Sequence, residues 1–195
     1  MDLQFDSSRH TYTLDGQILP SVTQVVRAVL PGQFQAEPHH LERGTLVHEL
    51  CQQFDENFLD WTAVPATVLG RVRAWQEFRS AAGLVPVLAE QPLASRTYRF
   101  AGTLDRLGSV PGVGLVVVDL KSTIEPRVRL QLGAYSLLAC ENGHGKPARA
   151  AAVELREDGS YRTLWLSPYE LRLAEQQFLA ALTVWNFQQQ YMRSA

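Results

Sequence analysis

The run GLVVVDLKS, residues 114–122, constrains the fold more than any other stretch of the chain. Its apolar Gly-Leu-Val-Val-Val half reads as a strand buried on both faces, the pattern of a central strand covered by helices. It then meets Asp119, Leu120 and Lys121. Placing a carboxylate and an ammonium at the end of a buried strand is costly without partners. The rest of the chain must supply those partners.

The elements on either side set the architecture. Residues 3–20 alternate short extended pieces with turns, and Asp15-Gly16 marks a hairpin. Ser21 caps a helix through VTQVVRAVL that Pro31-Gly32 ends. A second helix covers HHLERGTLVHELCQQFDENF, with Gly44 predicting a start just after that residue. A third runs through ATVLGRVRAWQEFRSAAG and closes on Gly83, with Trp75 and Phe78 in the core. Strands follow in VPVLAEQPLASRTYRFAGTLDRLG and in the Val run. The segment RVRLQLGAYSLLACENGHG returns to helix and ends on Asn142-Gly143. Two strands then join at Asp158-Gly159, and Ser167-Pro168-Tyr169-Glu170 opens the last helix with a capping box. Helices, a strand meander, a crossover helix, more strands and a final helix imply an α/β domain around a mixed central sheet. We expect one domain over 1–195, with a hairpin and helices over 1–83 and the core sheet over 84–195.

The two strands joined by Ser109-Val110-Pro111-Gly112-Val113 predict the site. In an antiparallel hairpin centred near Gly112, facing positions sum to 224, so Asp105 falls opposite Asp119. Directly opposed carboxylates destabilise a strand pair. A hard divalent cation with oxygen ligands relieves that repulsion. Lys121, two residues from Asp119, projects on the same strand face. Two carboxylates on a cation with a lysine beside them suit phosphodiester hydrolysis. An isolated Asp-x-Lys is usually a solvated strand end. The apolar run and the second Asp in register separate this one from that case.

Composition excludes several classes. The formal net charge of −2 gives no global basic signal for nucleic acid, though a local basic groove remains compatible with it. Cys51 and Cys140 are the only cysteines, too few for a four-cysteine zinc or iron–sulfur site, and both read as buried free thiols of a reducing compartment. No run reaches the roughly 18 apolar residues of a membrane span. MDLQFDSSRH has no signal- or transit-peptide character, and no P-loop is present.

Four pieces in order resemble the PD-(D/E)xK nuclease superfamily, and within it the RecB-like exonuclease branch. They are Gly44 and His48 in RGTLVHEL, Gly102-Thr103-Leu104-Asp105, Asp119-Leu120-Lys121, and Gln131-Leu132-Gly133-Ala134-Tyr135. The segment HTYTLDGQILPSVTQVV is similar to the start of phage-encoded members and of the mitochondrial genome-maintenance exonuclease. The resemblance implies a restriction-endonuclease-like core. It implies Mg²⁺ or Mn²⁺ held by Asp105, Asp119, the Leu120 carbonyl and His48, with the imidazole favouring Mn²⁺. Lys121 positions the water; Gln131 and Tyr135 support the lysine and the DNA. Glu90 is either a further site carboxylate or a surface one.

For DNA contact the candidates are Arg43, Ser122, Thr123 and Arg127, with Arg71, Arg73, Arg96, Arg99, Arg106 and Arg129 as further arginines. Phe34 and Trp61 are candidates for stacking on unpaired bases. The implied activity is a Mg²⁺/Mn²⁺-dependent DNA exonuclease. The alternatives are a structure-specific endonuclease on branched DNA or RNA, and a nuclease-fold module that binds without cutting. The expected partners are DNA and a helicase or recombination protein. The expected setting is cytoplasmic, bacterial or phage-encoded, with no membrane, nucleotide or iron–sulfur cofactor.

Overall fold

Five strands form the central sheet: β4 (Val85–Ser95), β5 (Phe100–Val110), β6 (Gly114–Lys121), β7 (Arg149–Leu155) and β8 (Tyr161–Leu166), in that spatial order. Three shorter strands, β1 (Leu3–Asp6), β2 (Thr11–Leu14) and β3 (Gln17–Leu19), make a separate sheet in front of them. The computed structural model describes residues 3–30 and 38–192. Pro31, Gly32 and the stacking candidate Phe34 lie outside the described residues.

β6 sits in the middle of the large sheet and is buried over Val116–Leu120. Its pairing with β5 joins Arg106 to Val118, Leu107 to Val117 and Val110 to Gly114, which is the 224 register read from the sequence. β6 and β7 run parallel, so the chain must cross between them, and helix α4 (Val128–Glu141) makes that crossing. Every other neighbouring pair in the sheet is antiparallel.

Apolar side chains alternate between the two faces. Val117, Ala150 and Ala152 pack under α1 (Val22–Val29), α4 and α5 (Pro168–Tyr191). Val116, Val118, Leu120 and Val153 pack under α2 (Pro38–Asp55) and α3 (Ala66–Ala82). Trp75 and Phe78 are core residues, as their helical spacing predicts. Capping boxes at Ser21 with Gln24 and at Ser167 with Glu170 start α1 and α5. Gly83, at φ +61°, ends α3 in a left-handed turn.

Two expectations are corrected here. α2 does not start after Gly44 but runs through it from Pro38. The roughly 1 kcal/mol helix cost of one glycine is outweighed by packing Val47, Leu50 and Cys51 against α3. Cys51 is buried as expected, but Cys140 is exposed. It occupies the last turn of α4 on the face turned away from the core, beside the buried Leu138 and Ala139. Among the described residues no helix is long and apolar enough to cross a membrane.

Candidate active site

Three adjacent strands place three carboxylates in one row. Facing residues of β4 and β5 sum to 195 on either side of Glu90, as in Ala89 with Arg106 and Gln91 with Leu104. Glu90 therefore stands opposite Asp105, and Asp105 opposite Asp119 by the 224 register. The β5–β6 ladder itself stops one pair short, at Arg106 and Val118. Beyond it the Asp105 side chain takes over, accepting from the Leu120 N–H at Oδ2 over 2.7 Å. Glu90 holds φ at +47°, a left-handed conformation rare for a residue with a side chain, and strain of this kind gathers at functional sites.

His48 reaches this row from α2. Its Nδ1 lies 3.0 Å from Glu90 Oε1 and 3.8 Å from Asp105 Oδ1. Ligand atoms of His48, Glu90 and Asp105 all lie within 4.8 Å of one another, close enough to share one cation. Asp119 is 0% exposed. Among the described residues neither of its oxygens has a well-aligned hydrogen bond, although Lys121 Nζ stands 2.7 Å from Oδ2 as an ion pair. His48, Glu90 and Asp105 are a donor set that fits a divalent cation, and Asp119, buried and poorly satisfied, adjoins that set without falling within it.

The electrostatics agree. Burial pushes the Asp105 carboxyl up to about 7, and the neighbouring Asp119 and Glu90 charges push the same way against His48 and Lys121. Burial alone lowers His48, but the Asp105 and Glu90 carboxylates raise it on balance. Lys121 is likewise raised, its burial outweighed by Asp119 and Asp105, so it keeps its proton. Burial acts to raise Glu90, yet the His48 hydrogen bond and Arg106 leave it below the usual carboxylate range.

Beneath the acids lies a group that the sequence pattern misassigns. Arg106 is not a phosphate contact: it is 0% exposed and committed to internal partners. Nη1 donates to Glu90 Oε1 and to the Asp105 carbonyl, each over 2.6 Å, and Nη2 donates to the His48 carbonyl over 3.3 Å. Nε meets Asp55 Oδ2, whose other oxygen accepts from Trp75 Nε1 and Arg79. One guanidinium thus ties α2, β4 and β5 together behind the site. Asp55 has no local motif, because its partners lie 20, 24 and 51 residues away.

A groove opens over these residues in two arms that share Thr23, Gly44, His48, Lys121 and Gln131. One arm, a cleft of about 370 Å³, carries Arg27, Arg71, Arg127, Ser122 and Thr123. The other, about 460 Å³, reaches Glu90, Asp105 and Tyr135. Gln131 and Tyr135 share the α4 face turned to it, as their spacing of four predicts. Arg43 pairs with Glu157 beside Arg71. Arg73, Arg96, Arg99 and Arg129 do not line the groove. They are engaged with Gln76, Asp15, Gln17 and Glu170 respectively. Trp61 is not a free stacking surface, since Phe54 meets its edge and the Arg73 guanidinium lies over its ring.

A mixed sheet covered by helices, with acids and a lysine meeting at the end of its central strand, defines a nuclease fold. The family model of the PD-(D/E)XK nuclease superfamily matches residues 59–183. The chain belongs to that superfamily. It is similar to the LHK-Exo crystal structure in complex with dAMP, at 14% identity and a TM-score of 0.39, over 91% of this chain and 95% of that one. It is also similar to the alkaline exonuclease LHK-Exo from Laribacter hongkongensis, at 13% identity and a TM-score of 0.36, over 90% and 94%. No curated protein matches the sequence.

Proposed function

We propose that this nuclease is a Mg²⁺- or Mn²⁺-dependent deoxyribonuclease, an exonuclease acting on DNA ends or single strands. The observation that carries the reading is Asp119: a fully buried carboxylate without well-aligned hydrogen bonds, flanked by Asp105 and Lys121 where the two arms of the groove meet. Asp105, Asp119 and His48 would hold the cation. Glu90 stands within reach as a fourth donor, and the Leu120 carbonyl is a further candidate. When bound, the cation supplies positive charge at the scissile phosphate and acidity to the attacking water.

The chain's own groups do the rest. The protonated Lys121 ammonium orients the water and faces the negative charge that grows on the phosphate oxygens. Gln131 and Tyr135 fix the floor beside it. Arg27, Arg71 and Arg127, with Ser122 and Thr123, offer donors to the strand on one side of the cut, Arg71 and Arg127 by exchanging their ion pairs with Glu157 and Glu125.

The test uses end-labelled single-stranded DNA, end-labelled duplex and covalently closed circles, each with Mn²⁺, Mg²⁺ or chelator. Metal-dependent shortening from an end with circles intact is the expected result. Cut circles would instead mark an endonuclease. No metal-dependent loss of DNA or RNA would overturn the enzyme reading.

A further inference from the structure

The N-terminal sheet lies outside the residues 59–183 matched by the superfamily, and the chemistry above makes no use of it. Yet it lines the groove. Phe5, Ser7, His10 and Tyr12 form one wall of the arm that ends at Asp105 and Lys121. Phe5 stacks on Tyr12 at 4.6 Å between ring centroids, with the planes 21° apart. The His10 ring stands edge-on to both, at 5.4 and 5.6 Å. Tyr12 is core, but Phe5 is only half-buried and His10 is exposed. His10 sits at φ +50° in the β1–β2 turn, a left-handed position that presents its ring on the sheet's rim.

This wall is held rigidly against the catalytic strand. The Tyr12 hydroxyl and Thr103 Oγ1 share a 2.8 Å hydrogen bond, two residues before Asp105. Ala101 N–H donates to the Pro20 carbonyl over 2.9 Å, and Ser21 bridges to Ala101. The aromatic group is therefore preorganised relative to the acids. The arm's volume of about 460 Å³ falls within the roughly 300–1,000 Å³ of small-ligand sites.

We propose that Phe5, backed by Tyr12 and flanked edge-on by His10, forms a stacking platform for one unpaired nucleobase of the strand whose phosphate lies at Lys121. The proposal rests on the nuclease reading and names the form of DNA the groove takes. Duplex bases expose no ring face, whereas a single strand or a frayed end does, and stacking on aromatics is the usual way such strands are held without sequence preference. The occupant is fixed by continuity: the same arm runs from the rings to the catalytic carboxylates, and the adjoining arm is basic.

The test measures binding of single-stranded oligonucleotides in chelator, with 2-aminopurine walked inward from each end and, separately, a single abasic residue at the same positions. Wild type should quench 2-aminopurine at one position, and an abasic residue there should weaken binding about ten-fold. Phe5→Leu keeps an apolar side chain but removes the ring face. It should restore the emission, weaken binding about ten-fold, and show no further loss with the abasic strand. His10→Ala, at an exposed turn, should act in the same direction and carries the test if Phe5→Leu lowers the melting temperature.

Both variants binding within about two-fold of wild type, with the 2-aminopurine signal unchanged, would overturn the platform. Because binding is read without metal, the two readings separate. Stacking without any metal-dependent cleavage would remove the nuclease activity alone, and cleavage without stacking would remove the platform alone.

Discussion

Asp105 pays for its position with a proton. Its carboxyl titrates near pH 7, above the ordinary value of 3.8, because burial and the Asp119 and Glu90 charges disfavour the anion. A folded-state pKa above the unfolded one gives stability that is fully present below the unfolded value and lost as pH rises through the folded one. The metal-free protein should therefore lose stability between about pH 4 and pH 7, and Mn²⁺ should restore it above that range. Thermal melts across pH, with chelator and with Mn²⁺, measure both. By the same logic Asp105→Asn should melt higher than wild type in chelator at pH 8 and gain little from Mn²⁺. Arg106 behaves oppositely. Arg106→Met removes the guanidinium that Asp55 and Glu90 share, leaving Asp55 to Arg79 and Glu90 to His48, and should cost about 3 kcal/mol in urea unfolding.

At this scale the sequence yields Asp105, Asp119 and Lys121, because a turn centre and a strand period suffice to bring them together. Glu90 is not legible in the same way, since the β4–β5 turn over residues 96–99 carries no glycine to mark its centre. Arg106 is illegible locally, because the acids that make its burial tolerable, Asp55 and Glu90, lie 51 and 16 residues away.

Glycines set how closely the elements approach. A Cβ on Gly102 would come within 2.9 Å of Val22 and 3.1 Å of the Tyr135 ring. The glycine that opens Gly102-Thr103-Leu104-Asp105 is thus where α1 and α4 rest on β5. On Gly133 a Cβ would meet the Ala174 backbone at 2.4 Å, so α4 and α5 touch backbone to backbone there. Gly133→Ala should therefore destabilise by roughly 1–3 kcal/mol or more, read from urea unfolding, because a backbone cannot swing aside as a side chain does. Element order was legible from period changes, caps and turn glycines. The extent of α2 was not, because propensity alone undervalues the face that α3 covers.

For the whole molecule, the proposed function requires affinity for DNA to come from local charge, since the net charge is −2. Arg27, Arg71 and Arg127 gather in one arm of the groove although they are scattered along the chain. Three phosphate contacts on a single strand predict a slope of about −2 for log K against log salt, at roughly −0.7 per contact. Binding measured from low to high salt reads that slope, and a value near zero would remove these arginines from the interface. Only the folded chain shows which arginines share a groove, so this was the least legible layer.

The central claim is that phosphodiester cleavage occurs where Asp105, Asp119 and Lys121 meet. The most direct measurement is the single-turnover cleavage rate of end-labelled single-stranded DNA by wild type and Lys121→Ala at saturating Mn²⁺. Removing the ammonium should lower the rate about 100-fold or more, as loss of a preorganised charge at the reacting phosphate does. An unchanged rate in Lys121→Ala would contradict the account and move the active site elsewhere.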